Sequence, residues 1–94
     1  MITVTVSLRR DEDNNRVKAF IYQDAPEFRD YGDYADLAQH EVLELLDRLG
    51  LNQQESASLL GLVLQEPPSV RRRQFQLSPE QETKVRGQFF PSSW

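Results

Sequence analysis

The stretch Ile2-Thr3-Val4-Thr5-Val6-Ser7-Leu8 alternates apolar and small polar side chains without a break. A period of two built largely on β-branched residues is the pattern of a strand with one buried face. Val17, Ala19 and Ile21 repeat it, alternating with Lys18, Phe20 and Tyr22. The bulky groups on both sides of this second run predict that both of its faces are covered. Between the two runs lies Arg10-Asp11-Glu12-Asp13-Asn14-Asn15, whose short polar side chains favour a turn by bonding their own backbone. The chain therefore begins with a β-hairpin.

Downstream, the period changes. Residues 24–33 hold Pro26 and Gly32 and read as an irregular connection. Ala35, Ala38, Val42, Leu45, Leu46 and Leu49 then fall on one helical stripe, which predicts a helix over 34–49. Asp33 is placed to cap that helix, Asp36 lies near the positive end of its dipole, and Gly50 is placed to end it in the left-handed conformation. Asn52 and Glu55 form the two halves of a capping box for a second helix. That helix buries Leu59, Leu60, Val63 and Leu64, has Ala57 at a close helix contact, and is ended by Pro67-Pro68.

Residues 69–77 admit two readings. Arg71, Arg73, Phe75 and Leu77 alternate with Val70, Arg72, Gln74 and Gln76, which favours a third strand over a short helix. Ser78-Pro79-Glu80-Gln81 opens a C-terminal helix with a cap, a first-turn proline and the reciprocal amide. Val85 is its main anchor and Gly87 its expected end. The expected fold is α+β: an N-terminal β-hairpin, two central amphipathic helices, a third strand and a short C-terminal helix, in the order ββααβα. One compact domain is expected over 1–87, with an aromatic tail over 88–94.

Composition narrows the function. The chain has 94 residues, 15 acids, 11 bases and a formal net charge of -4. Residues 1–50 carry 11 acids and 6 bases, whereas residues 51–94 carry 4 and 5. No apolar run approaches the roughly 18 residues of a membrane span, and the start has neither the basic nor the apolar region of a secretory signal. Cysteine is absent and histidine occurs once. Disulfides, thiolate metal sites and cysteine nucleophiles are thereby excluded, and a reducing, cytoplasmic setting fits. Asp11-x-Asp13-x-Asn15 opens like a calcium loop, but Arg16 and Tyr22 stand where that loop needs Gly and Glu. His40 lies between Gln39 and Glu41 on a helix surface, with no Gly-rich phosphate loop or nucleophile elbow elsewhere. The expectation is a protein without catalytic residues, metal or cofactor.

What remains is docking. Acids recur every third residue at Asp24, Glu27, Asp30, Asp33 and Asp36, with Tyr31 and Tyr34 among them. In an extended three-per-turn segment they would form one acidic, aromatic edge, suited to a protein with a basic surface. Arg71, Arg72 and Arg73 form a second candidate surface, able to grip a phosphate or an acidic protein. The aromatics Phe89, Phe90 and Trp94 form a third, since a tail carrying them either folds back or inserts into a partner. The role expected is a small adaptor, regulator or inhibitor acting by protein–protein docking, and a strand edge would also suit a second copy of the chain.

Nucleic acid is the alternative partner. Leu49-Gly50-Leu51-Asn52-Gln53-Gln54-Glu55-Ser56-Ala57-Ser58-Leu59-Leu60-Gly61 resembles the first part of a phage-repressor (Cro-type) helix-turn-helix, with Gln53, Ala57 and Gly61 in the family's register. The resemblance implies a DNA-binding transcriptional regulator with a recognition helix next. The chain departs from the family where Leu62 to Pro68 replaces a short turn, so Arg71, Arg72 and Arg73 become the only candidate DNA contacts.

Overall fold

A computed structural model describes residues 1–11, 14–23, 32–65 and 69–91. Strands β1 (Ile2–Arg10), β2 (Val17–Gln23) and β3 (Asp33–Leu37) are followed by helices α1 (Gln39–Arg48) and α2 (Gln53–Val63), then strand β4 (Arg71–Leu77) and helix α3 (Pro79–Phe89). The strands form a four-stranded antiparallel sheet in the order β3-β2-β1-β4. The expected α+β architecture is present, with the hairpin at its centre and a strand at 71–77.

The two-residue period decides which face is covered. Val4, Val6 and Leu8 of β1 lie level with Phe75, Arg73 and Arg71 of β4 on one side, and with Gln23, Ile21 and Ala19 of β2 on the other. Ala35 and Leu37 of β3 continue these rows opposite Ala19 and Val17. The apolar members of this face are buried together with Val42, Leu45 and Leu46 of α1, Leu59, Leu60 and Val63 of α2, and Val85 and Phe89 of α3. Burying a Leu-sized side chain contributes roughly 1.5–3 kcal/mol, so this single apolar layer is the main source of stability. The helices occupy that side, giving two layers.

Two expectations are corrected here. The helix predicted over 34–49 begins only at Gln39, because Asp33–Leu37 pairs with β2 instead. Ala35 fits both periods, but the alternation of Asp33, Ala35 and Leu37 inward with Tyr34 and Asp36 outward suits a ladder. Asp33 is therefore not a helix cap. The cap position of α1 is Ala38, which has no side-chain acceptor, and only Glu41 Oε1 supplies the reciprocal half by accepting from the Ala38 N–H at 3.0 Å. The second correction concerns the C-terminus. Helix α3 runs through Gly87 to Phe89, and Phe90 is fully buried in the core. The domain core thus extends past the expected boundary at 87, because Phe89 and Phe90 have more apolar area to bury than a glycine has power to end the helix.

Ala57, expected at a close helix contact, is exposed, and Ser56 is the buried small residue of α2; the cap and turn readings at 50–55 and 78–81 stand. Gly50 has φ +106°, the region where a Cβ is disfavoured. Asn52 Oδ1 accepts from the Glu55 N–H at 2.8 Å while Glu55 Oε1 accepts from the Asn52 N–H at 3.1 Å. Ser78 and Gln81 make the same reciprocal pair at the start of α3.

Candidate docking surface

The sheet's other face carries Thr3, Thr5 and Ser7 from β1, Lys18, Phe20 and Tyr22 from β2, Tyr34 and Asp36 from β3, and Arg72, Gln74 and Gln76 from β4. No described helix lies on it. One row crosses all four strands: Tyr34, Phe20, Ser7 and Arg72. Phe20 is 46% exposed and Tyr34 38% exposed, with ring centroids 5.1 Å apart and planes tilted by 54°. A tilted aromatic pair at this spacing is favourable in its own right, at about 0.5–1.5 kcal/mol, so the rings hold each other in place. The expectation that both faces of β2 are covered fails at Phe20. Elsewhere the face is closer packed: Thr5, level with Tyr22 and Gln74, is buried, and Gln76 Nε2 donates to Thr3 Oγ1 at 2.7 Å.

Charge gathers at one end of this sheet. The register sets Arg9 opposite Lys18, and Ser7 and Leu8 opposite Arg72 and Arg71. Two groups of bases far apart in sequence thereby meet at the hairpin end. Asp11 and Asp36 share that end, and Glu44, Asp47, Glu55 and Glu80 are exposed on the helices.

The acidic strip does not survive as a single row in its described part. A three-residue spacing on a strand alternates faces, so Asp33 and Asp36 point to opposite sides of β3. Asp36 is on the open face, where its carboxylate accepts from Arg16 Nε at 3.2 Å and its backbone carbonyl from Arg16 Nη2 at 2.9 Å. Asp33 points toward α3 and pairs with Arg86 Nη1. Arg86 also reaches Glu82 Oε2 at 3.5 Å, and Gln23 Nε2 donates to both Glu82 oxygens at 3.0 and 3.1 Å. Glu82 and Arg86 are about nine-tenths buried. Asp33 is thus a tie between sheet and helix and unavailable to a partner. Tyr34 is on the exposed face, while Asp24, Glu27, Asp30 and Tyr31 lie outside the described residues.

The remaining candidates divide similarly. Arg71 and Arg73 share the helix-side face of β4 and Arg72 takes the open face. Phe89 and Phe90 are core residues, not docking groups, and Trp94 lies outside the described residues. Helix α2 continues through Gly61 without a turn, and the next described element is β4. The recognition helix implied by the helix-turn-helix resemblance is not among the described residues.

Phe20 was not among the candidate docking residues read from the sequence. The signal was present: an aromatic alternates outward between Ala19 and Ile21 in a strand whose inward side is already apolar. A groove of about 400 Å³ on the helical side is lined by Arg48, Gln81, Lys84, Val85 and Gln88. The one amine in that lining, Lys84, is exposed and ion-paired with Glu80 at 3.3 Å. His40 is exposed at the start of α1. Among the described residues no helix is long and apolar enough to cross a membrane. No known family model, curated protein or solved structure matches the chain.

Proposed function

We propose that this chain is a non-catalytic docking protein, an adaptor or inhibitor, that engages another protein through the open face of its sheet. The observation that carries the reading is the exposed Phe20–Tyr34 pair at the β3 end of a strand row, on the face the described helices leave bare. Aromatic and arginine side chains are enriched where protein interfaces concentrate their binding energy, and Arg72 ends the same row. Lys18 stands one row away, beside Asp36. The complementary surface is apolar where it meets Tyr34 and Phe20 and acidic where it meets Arg72 and Lys18, in place of the basic one that the acid count suggests. A cytoplasmic setting accords with a cysteine-free chain.

A photo-crosslinking amino acid replacing Phe20, and separately replacing the exposed Leu62 of α2 as control, tests this reading in cells of the source organism. A partner captured from position 20 and not from 62, and lost from the Arg72→Glu chain, supports it. Equal capture from both positions, or capture unaffected by Arg72→Glu, rejects the sheet face as the docking surface.

A further inference from the structure

Among the described residues strand β4 pairs only with β1, so its far edge is the end of the described sheet. In its first half Arg72 is exposed on the open side and Arg73 on the helix side, while Arg71 is half-buried. Val70, just before it, is 42% exposed. An edge of this kind presents unpaired backbone N–H and C=O groups that accept a further strand. The core burial that shields an edge begins only at Phe75 and Leu77.

Three guanidinium groups flank this edge, and none of them has an ion-pair partner among the described residues. Their chemistry selects the occupant. Arg71 and Arg73 stand on one side of the strand and Arg72 on the other, so consecutive carboxylates on an incoming strand would meet cations on both sides. Arg71 is half-buried and its Nε is closed off from solvent without a hydrogen-bond partner. Its side chain is thus partly ordered before any partner arrives, which lowers the entropy lost on pairing. A second copy of the chain is a poorer occupant. Antiparallel pairing of two β4 strands over Arg71–Leu77 would set Arg71 opposite Leu77 and bring the two copies of Arg73 to diagonal positions near the middle of the seam, where like charges repel.

We infer that β4 accepts an extended acidic segment of a partner protein as a fifth strand, held by backbone hydrogen bonds and by Arg71, Arg72 and Arg73. This surface is the sheet's edge, distinct from the Phe20–Tyr34 face, and it stands or falls separately from that reading.

The test titrates the full chain with a fluorescent synthetic peptide carrying three consecutive glutamates between β-branched residues. Two further versions of the peptide are N-methylated at alternate backbone positions, in opposite phases, with charge unchanged. Binding is expected, with one methylated phase weakened at least tenfold and the other close to the parent. The Arg71→Gln/Arg73→Gln chain should also bind at least tenfold more weakly. Amide exchange at alternate positions of β4 should slow when peptide saturates the chain. No binding by the parent peptide overturns the proposal. So does equal binding by both methylated phases, which marks charge attraction without strand pairing. A single-stranded DNA of equal charge that binds more tightly and displaces the peptide overturns it in favour of nucleic acid. A dimer of the peptide-free chain that the Arg73→Gln change tightens, by removing like charge from the seam, overturns it in favour of a second copy. The methylated peptides act on the unmodified chain, so the outcome does not depend on how the double variant folds.

Discussion

Arg86 of α3 pairs with Asp33 of β3, joining residues on the last helix and the sheet's edge strand in a contact about nine-tenths shielded from water. Glu82 approaches the same guanidinium from one helical turn away, and Gln23 holds Glu82 from β2. Two carboxylates thus share one cation, and the Gln23 amide supplies the additional donor.

Removing the cation should therefore be severe. Arg86→Leu leaves two carboxylates with little water and no counter-charge, and stability is expected to fall by about 3–5 kcal/mol. Glu82→Gln leaves Asp33 paired one to one and should cost only about 1–2 kcal/mol. Urea unfolding of the two variants measures the difference. Equal losses would mean that shape, not charge, sets the role of this cluster.

Much of the fold was legible in the sequence because it rests on local chemistry. The alternation of Ile2 to Leu8, the Asn52–Glu55 and Ser78–Gln81 boxes and the Leu stripe from Val42 to Leu49 each specify an element without distant information. Strand β3 was hidden because Ala35 serves two periods equally well, and only the register against Ala19 resolves it. The meeting of Arg9 and Lys18 with Arg71 and Arg72 was hidden for a different reason: the pairing of β1 with β4 spans most of the chain. Asp33 was read as a surface acid because nothing near it in sequence shows that Arg86 reaches it.

Helix α1 lacks a side-chain cap at Ala38, whose backbone is already extended at φ -70° and ψ 159°. Ala38→Ser completes the half-box that Glu41 supplies and should add about 1 kcal/mol, the usual worth of a cap. Ser78→Ala removes the corresponding oxygen from α3 and should subtract a similar amount. Thermal denaturation of both variants checks the two signs; a destabilised Ala38→Ser chain would show that this half-buried site has no room for a hydroxyl.

The glycines separate by conformation. Gly61 and Gly87 lie inside helices, and a Cβ at either meets nothing within 4 Å. Alanine at each should stabilise by roughly 0.5–1 kcal/mol through helix propensity. Gly50 also has open space but a positive φ, so alanine there should destabilise by about 1 kcal/mol. A loss of stability in Gly61→Ala would restore the case for a turn at that position.

Phe90 is expected to behave as a core residue. Phe90→Ala should cost about 3–5 kcal/mol, whereas Phe20→Ala, on the bare face, should cost no more than about 1.5 kcal/mol, the worth of its contact with Tyr34. Chemical denaturation distinguishes them. A Phe90→Ala loss as small as that of Phe20→Ala would return Phe90 to the role of a docking group.

The position of β1 between β2 and β4 has a consequence for how the polypeptide is made. During translation β1 emerges before either neighbour, and its hairpin mate soon follows. The flank destined for β4 must wait until Arg71–Leu77 leaves the ribosome. Through that interval Val4, Val6 and Leu8 sit beside an unzipped ladder, in the state most open to chaperones and to mispairing between nascent chains. The arginine-bearing strand is thus the clasp whose arrival ends that vulnerable period.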